Sequence, residues 1–271
     1  MSNTVYNVQR YVSFSADEFI SMLTTSAFVA LVLSMRDLFF VRFGDAESIR
    51  AALLVFVLVL LMLIVTVWIC KIVAVRLGYT VRYREHLVGL IVGAILSFAS
   101  AGYLPIFIPG GFNFVEPERL HMGKFHGLHR GWEVGLIAGT FPLAMLAGVF
   151  VFNPLYLATQ GEFFLTAILA ACLFAIYACI PIPMLDHSHK GGRPGDLFKY
   201  LHGSTFGLDV FFASGAWYIV LSSAVIFFAL ISWLLIVLSI EAGIGIAIAV
   251  YIVSLVIGVL SLFVYDRFFK K

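Results

Sequence analysis

The uncharged run from Ala51 to Cys70, AALLVFVLVLLMLIVTVWIC, constrains this chain more than any other feature. A helix needs about 20 apolar residues to cross the roughly 30 Å hydrocarbon core of a bilayer. This run meets that length without one ionisable carboxylate or amine. The whole chain follows suit: 62% of its residues are hydrophobic and 12% charged. A soluble domain is about half apolar and a quarter charged. The sequence therefore predicts a single integral membrane domain over 1–271. The net charge of +2 leaves no electrostatic footprint for nucleic acid. Cys70, Cys172 and Cys179 all lie in apolar runs with no CxxC spacing and read as buried thiols. The polar, aromatic N-terminus lacks the basic and short apolar regions of a cleaved signal.

Further uncharged stretches fall at Phe19–Met35, Leu87–Pro109, Val134–Thr159, Phe163–Leu185, Val210–Ile240 and Ala242–Tyr265. The Val210–Ile240 stretch is long enough to begin with an interfacial turn. Leu87–Pro109 is the odd one, rich in small residues and ending in prolines. Non-helical backbone at membrane depth is tolerated only where protein covers it. Lysine and arginine favour the cytoplasmic side. If Leu87–Pro109 dips in and returns, only Arg36, Arg42 and Arg50 lie opposite all the other basic residues. A full crossing spoils that asymmetry. The expectation is an all-α polytopic membrane protein with about six transmembrane helices plus one re-entrant segment. Both termini are then cytoplasmic, in a cell membrane, and 210–265 forms a C-terminal helical pair.

Several segments carry a resemblance. FSADEFISMLTTSAFVALVLS, the Ala51–Cys70 run, KIVAVRLGYTVRYREHLVGLIVGAILSFASAGYLPIFIPGG, EVGLIAGTFPLAMLAG and AIYACIPIPMLDHSHKG resemble, in order and spacing, archaeal members of the site-2 protease family of intramembrane zinc metalloproteases. The likeness covers about 14–186, the site-2-protease-like core, and IPIPMLD is its most specific piece. In that family an H-E-x-x-H motif on the second helix supplies two zinc ligands and the general base. The basic tail that follows it matches Lys71, Val73, Ala74, Arg76 and Gly78. The motif itself then falls on 66–70, which reads Thr66, Val67, Trp68, Ile69, Cys70. Asp186 matches the family's third ligand. Ala178 replaces an asparagine, His187 a glycine, and Thr140 the proline after Ala138 and Gly139.

A catalytic zinc needs three protein ligands and an open position. Thr66, Val67 and Cys70, the degenerate motif positions, do not replace two imidazoles and a carboxylate. The resemblance thus implies a pseudoprotease with no catalytic residues and no zinc. Asp186, His187 and His189 form D-H-x-H and, with Cys70, are ligands by type for a different metal site. The alternative is a hydrated loop in which Lys71, Lys190 or Arg193 balances Asp186. The two prolines of IPIP free carbonyls that need partners. A polar, partly hydrated pocket is expected between the second span and the Phe163–Leu185 span. Glu85 and His86 lack a second histidine four residues on and read as loop residues.

His121, His126 and His129, among Arg119, Lys124 and Arg130, suit an interfacial amphipathic segment. IFIPGGFNF (106–114) reads as a turn leaving the membrane. By the resemblance it is also the glycine-rich strand that lines the family's client cleft, with Gly102, Gly110 and Gly111 as cleft candidates and an edge open to strand addition. The leading functional expectation is a non-catalytic membrane protein that binds a transmembrane client or serves as a subunit of a membrane complex. Two other readings stay open: an active intramembrane zinc metallopeptidase with a rearranged site, and a transporter or lipid-handling protein.

Overall fold

A computed structural model describes residues 12–41, 43, 45–115, 131–183, 204–237 and 244–269. The chain is mostly helical. Its elements run α1 (Ala16–Met35) with a π-helical extension (Arg36–Val41), α2 (Ala46–Leu77), β1 (Thr80–Arg84), α3 (Leu87–Ala99), β2 (Gly111–Val115), α4 (Gly131–Thr159), α5 (Glu162–Ala178), β3 (Ser204–Thr205), α6 (Phe206–Ala213), α7 (Gly215–Val237) and α8 (Ile244–Phe269). Four helical stretches are long and apolar enough to cross a membrane: Ala16–Val41, Ala46–Leu77, Trp132–Tyr156 and Gly215–Leu234. They mark an integral, multi-pass helical membrane protein.

Local signals set the helix ends. Ser15 and Glu18 form a reciprocal capping box at the start of α1. Asp45 caps α2, and Gly78 ends it in the left-handed conformation, donating its N–H back to Ala74 and Val75. The Val210–Ile240 stretch is broken by a cap: α6, which begins at Phe206, stops at Ser214, whose backbone is extended, and α7 begins immediately after.

A small antiparallel sheet in the order β1-β2-β3 joins the helices at one end. Arg84 pairs with Gly111 and Thr80 with Val115, so the segment 85–110 starts and finishes side by side. Within it α3 is a helix of 13 residues, about 20 Å long. The chain then turns at 100–103 and runs back extended from Leu104 to Gly110, which covers about 23 Å. The two limbs match in length and lie in close contact. A methyl group at Gly93 would overlap the Ile106 carbonyl, and one at Gly89 would come within 2.7 Å of Ile108. Only glycine lets the return limb approach this closely.

The return limb is non-helical backbone between apolar helices, and several of its polar groups have partners. The Ser97 hydroxyl donates to the Leu104 carbonyl (2.7 Å) and accepts from the Ile106 N–H (3.1 Å). Tyr177 donates to the Pro105 carbonyl at 2.8 Å, and Tyr83 to the Pro109 carbonyl. Pro105 and Pro109 have no N–H to satisfy. Phe107 is fully buried, with its ring 4.9 Å from both Phe174 and Tyr177. These bonds answer the requirement that irregular backbone among apolar helices be covered.

Helix α1 measures the depth of this hairpin. Near its start Glu18 bonds β1, and at its end Arg36 packs against Gly102 at the hairpin tip. The 18 helical steps from one to the other span about 27 Å. The tip carries an aromatic cluster of Phe39, Phe40, Phe43 and Phe98, with Arg36 stacked 4.7 Å over Tyr103.

Candidate functional site

The degenerate motif positions lie on the inner face of α2. Thr66 is 3% exposed, and Val67 and Cys70 are fully buried. The Thr66 hydroxyl donates to Met145 Sδ on α4 at 3.5 Å. The segments that carry the family resemblance, α2, α4 and α5, pack on one another around these positions. The donor set does not fit a zinc site: Val67 offers no ligand atom, Thr66 is turned onto a thioether, and Cys70 contributes one thiol. Among the described residues no three His, Cys, Asp or Glu side chains converge to hold a metal ion. Asp186, His187 and His189 lie outside the described residues, as do His121, His126 and His129. At Thr66, Val67 and Cys70 the side chains are enclosed rather than hydrated; the polar pocket expected beside Asp186 falls outside the described residues.

One step further along α2, Lys71 is buried, and its ammonium has three partners. Nζ donates to Glu18 Oε2 (2.6 Å) and to the Ser13 carbonyl (2.8 Å), and it lies 4.6 Å over the Phe14 ring. Lys71 thus pairs with a carboxylate of α1, whereas Asp186, the partner the sequence offered for it, lies outside the described residues. A buried charge takes a partner that completes its hydrogen bonds. Glu18 is equally occupied: Oε1 accepts the Tyr83 N–H at 2.9 Å, and Oε2 accepts the Ser15 N–H at 3.4 Å. Tyr83 sits opposite Phe112 in the ladder, yet its N–H points to Glu18. It thus faces the free edge of β1, and the carboxylate caps that edge.

Tyr83 itself is buried against Phe141 and Phe206. Burial pushes its phenol well above the ordinary range, the hydrogen bond from Thr25 pulls it back, and the charge of Glu85 adds to the rise. The phenol stays a neutral donor, as its bond to Pro109 requires.

His86 stands in the two-residue loop between β1 and α3, as the sequence suggested, but it is buried and caps α3: Nδ1 accepts the Gly89 N–H at 2.7 Å. The tautomer is then Nε2–H, which points at the Pro183 carbonyl, 3.3 Å away. Two more carbonyls of the IPIP turn fall to Thr205, whose hydroxyl lies 3.0 Å from the Ile180 oxygen and 2.8 Å from the Ile182 oxygen. His86 and Thr205 together hold the segment that leads to Asp186. A histidine three residues before a glycine, at the start of an apolar run, is the signal that marks the cap. Nothing in the sequence marks its contact with Pro183.

The three glycines each answer to a contact within the chain. Gly102 (φ +78°) abuts the backbone of Arg36, and Gly110 (φ +130°) abuts the Arg84 carbonyl. Gly111 pairs with Arg84 on one side and Thr205 on the other. β2 is consequently the middle strand at Gly111 and Phe112, and IFIPGGFNF does not present them as an open edge.

A polar cavity of about 420 Å³ opens between the first turns of α1 and β1. Asp17, Glu18, Ser21, Arg82, Arg84 and Glu85 contribute to its wall. Comparison with known proteins finds no matching family model, curated protein or solved structure.

Proposed function

We propose that this chain is a non-catalytic, site-2-protease-like membrane protein that holds a transmembrane client or a partner subunit. Its topology in this reading is six crossings (α1, α2, α4, α5, α7 and α8) with 85–110 as a re-entrant hairpin. Lys71, Arg76, Arg82, Arg84 and Arg267 then share the sheet side, where both termini lie, and Arg36 and Arg50 lie opposite. By the positive-inside rule the sheet side is cytoplasmic, and the membrane is the cell membrane of an archaeal-type cell.

The observation that carries the reading is the chemistry at 66, 67 and 70. These positions converge with α4 and α5, as the family's ligand helix does, yet the side chains there are enclosed and none can take a proton from water. What remains is a binding surface. The outer face of α3 exposes Val88, Ile91, Val92 and Ile95, a ridge on the hairpin against which a transmembrane segment can lie.

Photo-cross-linking tests this. A photoreactive residue at Ile95 should yield a defined protein adduct in native membranes, and one at Leu61 on the outer face of α2 should not. Adducts to lipid alone at Ile95 would remove the client-binding reading. The competing metallopeptidase reading predicts chelator-sensitive cleavage of a peptide bond within the bilayer, together with zinc lost on Asp186→Ala.

A further inference from the structure

We infer that His86 is a pH-sensitive clasp on the 85–110 hairpin: the neutral ring ties the first turn of α3 to the IPIP segment, and protonation releases that turn. The ring stands where the hairpin begins and where the chain leaves α5. Its Nδ1 accepts the Gly89 N–H at 2.7 Å, and its Nε2 lies 3.3 Å from the Pro183 carbonyl. One protonation state serves both contacts, the neutral ring with its proton on Nε2. A second proton would have to occupy Nδ1, which would lose the lone pair that receives the Gly89 N–H. Two donors would then face each other at hydrogen-bond distance.

The ring has little room to escape that conflict in place. His86 is buried, and a methyl group at Gly89 would overlap both Nδ1 and the Ile108 side chain. A charged ring therefore leaves the cap, and its contact with Pro183 goes with it. The ionisable groups on the adjoining elements are Glu85 in the same loop, Arg82, Tyr83 and Arg84 of β1, Cys179 after α5 and Asp209 in the first turn of α6. Neither α3, the return limb nor β2 carries one. None of these groups is a histidine, the side chain whose ordinary charge change falls between about pH 5 and pH 8. Val88, the first residue of the α3 ridge, belongs to the turn that the cap holds, so the clasp sets the order of that end of the ridge. Its bearing on a client rests on the client-binding reading; the clasp itself does not.

Amide hydrogen exchange of the detergent-solubilised full chain tests this between about pH 8 and about pH 5, with rates corrected for the intrinsic pH dependence of exchange. Protection at Gly89 and Leu90 should fall about fivefold on acidification, the worth of one helix cap, while Ile95 and Ser97 stay protected. His86→Asn supplies an acceptor that does not titrate and should keep Gly89 and Leu90 protected throughout. Nitrogen NMR of labelled histidine adds a second readout: the ring signal absent from His86→Asn should, at about pH 8, be that of the Nε2–H tautomer. Protection that ignores pH in the unaltered chain would overturn the clasp, and so would an equal fall in His86→Asn. A proton on Nδ1 at the alkaline end would overturn it as well.

Discussion

Lys71 and Glu18 stand 53 residues apart in the chain and 2.6 Å apart in the fold. Their contact ties the end of α2 to the beginning of α1, and through the Tyr83 N–H it ties both to the sheet. An ion pair with side chains this buried holds only while both partners are present, because either charge alone would be stranded away from water.

Removing one partner should therefore be severe. Glu18→Ala or Lys71→Ala is expected to cost about 3–5 kcal/mol, measured by denaturant or thermal unfolding in detergent. The double change Glu18→Gln with Lys71→Met should be milder than either alanine variant. If the double variant loses as much as the two singles summed, the pair is not an interacting unit.

At His86 the two ring nitrogens separate two effects. His86→Asn retains a capping acceptor for α3 but cannot reach Pro183. His86→Ala loses both contacts and should cost about 1 kcal/mol more than the asparagine variant. Amide hydrogen exchange gives the local readout: the first turn of α3 should stay protected in His86→Asn and open in His86→Ala. Equal exchange in the two variants would rule out the capping role.

The hairpin has a topological consequence. Cys70, Cys172 and Cys179 are all buried, so native protein should not react with a polar maleimide until it unfolds. On that silent background, Arg82→Cys and Asn113→Cys should label from the same face of sealed vesicles, and Tyr103→Cys from the other. Labelling of 82 and 113 from opposite faces would mean that 85–110 crosses the membrane.

Tyr83 sets an alkaline limit. Its folded-state pKa is raised by burial, so its contribution is complete below the unfolded value of about 10 and is lost as pH climbs toward the folded value. Tyr83→Phe should be less stable than the unaltered chain at neutral pH, through the lost bond to Pro109. The two stability curves should converge above about pH 10. Parallel curves through that range would show that the phenol is not the titrating group.

Much of this architecture is legible in the chain itself, because its causes are local. A run such as 51–70 must be a helix in lipid, where no water is available to satisfy its backbone. Ser15, Asp45 and Gly78 mark helix ends through geometry confined to one turn. The prolines at 105 and 109 and the small residues before them betray a segment that breaks helical regularity. The absence of a carboxylate or imidazole from 66–70 is also readable, since a valine's chemistry does not depend on where it sits.

What the fold alone decided is which distant groups meet. Nothing near Lys71 in sequence announces Glu18, and nothing near His86 announces Pro183, 97 residues away. Those pairings arise because each polar group buried among apolar helices must find a partner, and the packing of α1, α2 and the sheet determines which one lies within reach. The same packing turned Gly110 and Gly111 inward and closed the space around Thr66 and Cys70.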